Sequence, residues 1–161
     1  MLIRPAEESF RKGLEALATG RRIEALARFE AAVELERRLG TLRPQPRYLS
    51  YFGLCVAFQP NRQGDAVRLC REALAREFYN PDLCWNLARV LLVAGKRREA
   101  HAVLRQGLDL SPGHPGILRE IQRMGRRRRP VLQFLSRSNP INVLLGKLSA
   151  PGPRAGASAR G

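Results

Sequence analysis

The sequence predicts an all-α protein, an α-solenoid of about three helical hairpins followed by a capping helix and a short C-terminal helix. Two observations predict it. Apolar residues recur at i, i+3, i+4, i+7 spacing, the signature of one buried helix face. A residue suited to the left-handed conformation also stands five positions before an alanine three times over: Gly20 before Ala25, Asn61 before Ala66 and Gly95 before Ala100. Such a residue ends one helix and lets the next fold back on it.

The clearest unit runs from Asn80 to Pro112. Leu83, Leu87, Val90, Leu91 and Ala94 form one stripe, and Ala100, Val103, Leu104, Gly107 and Leu108 a second. Asn80 with Pro81 supplies a helix start, Gly95 the turn and Pro112 the stop. The first unit, about residues 7–38, repeats the pattern with Ala25, Phe29, Ala32 and Val33, and Gly13 occupies the position that Ala88 holds in the clearest unit. Gly40, Pro44 and Pro46 mark a long connection to the second unit, about residues 47–79, where Ala66, Leu69, Cys70, Ala73 and Leu74 take the stripe. Its first helix registers either from Gly53 or by counting back from Ala66, and the two differ by one residue. Residues 114–125 read as a helix with Ile117, Leu118 and Ile121 on its apolar side, capping the stack. This predicts a solenoid over residues 1–125.

Composition then changes. Residues 126–149 form a basic and apolar segment, with Arg126, Arg127, Arg128 and Arg129 in a run and a short helix started by Asn139 and Pro140. Residues 150–161, rich in Gly, Ala, Ser and Pro, are expected to be disordered. Net charge is +15, of which the stretch from Arg123 to Gly161, with nine basic and no acidic residues, carries +9.

The Asn80–Pro112 unit resembles the tetratricopeptide repeat, a unit of about 34 residues, on Leu87, Ala88, Gly95, Ala100, Gly107 and Pro112. Short side chains are needed where two helices cross closely. The tail RRxPVLxFLSRxNPxN is similar to those of small bacterial tetratricopeptide proteins. The family resemblance implies a groove lined by the first helix of each hairpin. It faces Glu7, Phe10, Arg11, Leu14 and Ala18 into that groove from the first unit, and Asp82, Trp85, Asn86, Arg89 and Val93 from the third. In the second unit the Gly53 register implies Arg47, Ser50, Tyr51, Leu54 and Phe58, and the other register Tyr48, Tyr51, Phe52 and Cys55. The family's carboxylate clamp for chaperone tails needs Lys and Asn where this chain has Phe10 and Leu14, and Lys and Arg where it has Asp82 and Asn86, so binding by that clamp is not expected.

No phosphate-binding, dinucleotide, zinc-protease or nucleophile-elbow motif is present. Cys55, Cys70 and Cys84 have no metal-site spacing and read as small buried hydrophobes. His101 and His114 read as helix-surface or turn residues. The sequence therefore predicts a non-enzyme without cofactor or metal, cytoplasmic, with no signal segment and no membrane span. Two functions follow. The first is an adaptor or scaffold holding a partner peptide, mixed apolar and acidic, on Phe10, Arg11, Leu14, Arg47, Tyr51, Trp85, Asn86 and Arg89. The second is a nucleic-acid- or anionic-membrane-associated factor binding through Arg126 to Arg129.

Overall fold

The computed structural model describes residues 5–39 and 44–125. Among them are seven α-helices and no strand: α1 (Pro5–Ala18), α2 (Arg22–Arg38), α3 (Pro46–Val56), α4 (Gln63–Arg76), α5 (Pro81–Val93), α6 (Arg97–Leu110) and α7 (Pro115–Gly125). The helix expected after Asn139 and the arginines from 126 to 129 lie outside the described residues.

The helices pair as the sequence leads one to expect: α1 with α2, α3 with α4 and α5 with α6. Successive pairs stack through α2 on α3 and α4 on α5, with α3 beside α5. Each pairing depends on a residue with little or no side chain at the crossing. A Cβ on Gly13 would lie 2.6 Å from Phe29 Cε1, and one on Gly53 would lie 2.8 Å from Cys70 Sγ. Ala88 and Ala100 are fully buried at the third crossing. Phe29 and Cys70 hold equivalent positions four residues after Ala25 and Ala66, so the structure decides the open register: Gly53 is the counterpart of Gly13.

The extra residue of the second unit is absorbed in its turn. Gly20 and Gly95 adopt φ of 76° and 74°, and Asn61 adopts 58°. In the outer two turns the residue after the glycine donates back five positions, Arg21 N–H to Ala16 C=O at 2.9 Å and Lys96 N–H to Leu91 C=O at 2.8 Å. This satisfies carbonyls that a helix end otherwise leaves open. The second turn, residues 57–62, is longer and is closed by Phe58, Gln59 and Arg62 bonding back over three residues each.

The connection from α2 to α3 is pinned from both sides. Glu36, 7% exposed, accepts from the Gln45 backbone at 2.6 Å and from its side chain at 3.0 Å, and Arg76 of α4 donates to the Pro44 carbonyl at 2.8 Å. A buried carboxylate is tolerated when donors of this kind replace water. The three cysteines are free and buried. Burial pushes the Cys55 thiol up to about 11 and the Cys70 thiol up to about 12, and raises Cys84. All three sit in the core as small hydrophobes.

Replacing Gly13 with Ala forces the new methyl into the fully buried Phe29 ring. Overpacking of this kind costs about 1–3 kcal/mol, and a urea melt of Gly13→Ala against the parent should show a lowered midpoint. Gly20→Ala meets no neighbour within 4 Å and should lose only about 1 kcal/mol, the cost of holding a Cβ at positive φ.

Candidate interaction surface

The residues expected to meet a partner come from α1, α3 and α5, and the structure divides them into two groups. At the α1–α3 end they are committed to one another. Phe10 is 5% exposed, closed over by Phe29, Tyr48 and Tyr51 at centroid distances of 5.5, 4.8 and 5.4 Å. Aromatic clusters in tilted and edge-on contact gain beyond the area they bury. Arg47 lies over the Phe10 and Tyr48 rings at 5.2 and 5.0 Å and pairs with Glu7, which also accepts the Tyr48 hydroxyl at 2.6 Å. The expectation that Phe10 faces a partner is corrected here: helix α3, nearly forty residues on in the chain, covers it. Arg47 is half exposed but already engaged. Ser50 and Leu54 are buried as well.

At the α3–α5 end the face is more open. Tyr51, Trp85 and Arg89 are half-buried, with Arg89 over the Trp85 ring at 5.0 Å. Leu14 is half-buried and Arg11, paired with Glu15 four residues on, is exposed. Exposed pairs of this type contribute little to stability, so Arg11 is easily given up to another anion. Asn86 is a second correction. It is fully buried, donating to the Ser50 hydroxyl at 3.2 Å, and it fixes α5 against α3 rather than presenting an amide to the surface. Its Oδ1, like Trp85 Nε1, has no hydrogen-bond partner among the described residues. Burial raises the Tyr51 phenol and Asp82 adds to that, while the Asn86 amide and the Arg89 charge oppose it.

Sequence reasoning missed His114. Its Nδ1 accepts from Ile117 N–H at 3.1 Å and its Nε2 lies 3.0 Å from Asp82 Oδ1. It caps α7 and ties that helix to the start of α5. The Trp85 ring completes the joint, 5.7 Å from the imidazole and packed flat against Gly116, where a Cβ would fall 2.6 Å from Trp85 Cε2. A polar residue directly before Pro115 and three before Ile117 was the available signal, since capping places an acceptor at that offset. Asp82 is thereby paired with His114, although its side chain stays 59% exposed. Ala18, Phe58 and Val93 are exposed where the first helices end.

No metal-binding group of three His, Cys, Asp or Glu side chains occurs among the described residues, and no described helix is long and apolar enough to cross a membrane. Stacked antiparallel helix pairs with small residues at each crossing define a helical repeat protein. Residues 57–119, spanning α4, α5, α6 and the first turn of α7, match the family described as tetratricopeptide repeat. A search of curated proteins finds no match to the chain.

Two measurements probe these contacts. Burial, and then the hydrogen bond to Glu7, push the Tyr48 phenol up from its ordinary 10.0 to about 12. The folded value exceeds the unfolded one, so the neutral phenol's stabilisation is whole below pH 10 and is lost as pH rises from 10 to about 12. Tyrosinate absorbance should therefore show Tyr48 ionising late, with Tyr51 also delayed, and melting temperature should fall across that window. Separately, His114→Ala removes an N-cap worth about 1 kcal/mol. It should red-shift Trp85 fluorescence as α7 loosens and Trp85 meets water.

Proposed function

We propose that the protein is a non-catalytic adaptor, with residues 1–125 forming the solenoid that captures a partner polypeptide segment on the face shared by α1, α3 and α5. Tetratricopeptide repeats generally mediate protein–protein interaction. The observation that carries the reading here is the half-open row of Tyr51, Trp85 and Arg89, with the half-buried Leu14 and the exposed Arg11 on α1. Aromatic and Arg side chains already held by packing lose little freedom on binding and anchor interfaces disproportionately. Apolar rings next to guanidinium groups suit a segment that mixes apolar and acidic residues. The buried free thiols agree with a cytoplasmic setting.

A second reading rests on a separate observation, the +9 charge from Arg123 to Gly161. In it the solenoid positions a basic segment, residues 126–149, whose Arg126 to Arg129 bind nucleic-acid phosphates or an anionic membrane in a salt-dependent manner.

The two are separated by affinity capture from native lysate with the full chain and two variants. Arg11→Glu with Arg89→Glu alters the open face and leaves the Phe10 cluster and the Leu14 packed on it unchanged, and replacing Arg126 to Arg129 by Gln removes the tail charge. The adaptor reading expects the retained protein set to fall at least tenfold with the first variant, the loss of more than about 1 kcal/mol typical of an anchor, and to persist with the second and after nuclease. Circular dichroism should show both variants folded. Capture that survives the first variant and vanishes with the second, or with nuclease, rejects the adaptor reading.

A further inference from the structure

A different part of the solenoid carries a second surface. The turns inside the three hairpins come together along one edge. Arg22 of the first hairpin lies 4.4 Å over the Phe58 ring of the second. A cavity of about 480 Å³ opens between the start of α4 and the turn before α6, with Val67 and Arg68 on one side and Ala94 and Lys96 on the other. Arg71 of α4 pairs with Glu99 of α6 beside it.

This edge repeats one electrostatic pattern. The residue after each left-handed turn is a cation, Arg21, Arg62 and Lys96, and each stands at its helix N-cap without making a side-chain cap bond. Each instead pairs with the carboxylate three residues on: Glu24 at 2.6 Å, Asp65 at 3.3 Å and Glu99 at 3.5 Å. Those are the only acids in residues 19–24, 57–65 and 94–99, where Arg22, Arg97 and Arg98 bring the cations to six against three. The same edge exposes large apolar side chains: Ile23 at 83%, Val93 at 42% and Phe58 at 37%. One exposed aliphatic needs no explanation, but protruding apolar groups interleaved with a cationic surplus on one edge mark an interaction surface.

We propose that this turn edge docks on an anionic phospholipid membrane surface. Cations at such an edge meet lipid phosphates and the negative surface potential, at about 1 kcal/mol per Lys or Arg, or about fivefold in affinity. Ile23 and Val93 enter the boundary between headgroups and acyl chains, as the apolar face of an interfacial helix does. The recess between Arg68 and Lys96 receives a headgroup. A nucleic acid fits less well: Ile23 and Val93 have no counterpart on a phosphate backbone, and the one aromatic ring of the edge, Phe58, is already covered by Arg22.

The test is flotation of the full chain with vesicles of phosphatidylcholine alone and of phosphatidylcholine with phosphatidylglycerol. Two edge variants are used, Ile23→Ser with Val93→Ser, and Lys96→Gln with Arg98→Gln, each also made with Arg126 to Arg129 replaced by Gln. The tail-neutral chain should still bind the mixed vesicles and not the neutral ones. The apolar pair of substitutions should weaken that binding at least tenfold and the charge pair roughly twenty-fivefold. Circular dichroism should confirm unchanged helix content. Binding that disappears with the tail substitutions alone and ignores both edge variants overturns the proposal. So does a chain that ignores vesicles but retains a single-stranded RNA released by the edge substitutions.

Discussion

Everything in the described solenoid depends on two helices crossing closely inside each hairpin. The approach leaves little room for a side chain: the atoms nearest a Cβ at Gly13 and Gly53 are the Phe29 ring and the Cys70 sulfur, and the third hairpin places the fully buried Ala88 at this position. Closeness at the crossing demands a sharp reversal at the end of the first helix. That reversal is supplied by a residue at positive φ, Gly20, Asn61 or Gly95. The reversal in turn brings the start of every second helix to the same edge. One steric constraint therefore sets the hairpin, the stacking and the alignment of both surfaces.

Across the face of α1, α3 and α5, side chains of similar type have been given different work. At the α1–α3 end Phe10, Tyr48, Arg47 and Glu7 form a closed set in which rings are stacked and charges paired, so little is left to offer a ligand. At the α3–α5 end Asn86 and Ser50 bond in the core and the neighbouring Tyr51, Trp85 and Arg89 stay half open. A buried amide–hydroxyl bond adds modestly to stability but penalises any slip of α5 along α3, because both groups would then be stranded without water. The open row is held in place by what lies beneath it.

Electrostatics separate the two surfaces. On the face, Arg47 and Arg89 lie over rings, where a guanidinium adds attraction for acidic groups without losing its packing. Along the turn edge the cations outnumber the carboxylates, and each N-cap cation is steadied by an acid one helical turn later. Such exposed pairs stabilise little in themselves. Their consequence is positional: long side chains that would otherwise sweep freely are kept near the edge, with aliphatic groups between them.

The sequence by itself determined the seven described helices, the three reversals and the small residues at the crossings, because each is a local pattern: a 3.6-residue apolar period, a left-handed turn residue, an alanine five positions on. It also marked Tyr51 and Trp85 as lying on the first-helix face. Only the tertiary structure decided which residues of that face are open. Phe10 is buried by Tyr48, Asn86 by Ser50, and His114 is drawn to Asp82, all partners 32 or more residues apart in the chain. Burial of a polar or aromatic group depends on what a distant helix places over it, and no local period encodes that. The second-hairpin register was undecidable for the same reason, since one extra turn residue shifts the count from either end and only the contact of Gly53 with Cys70 shows where the helices meet.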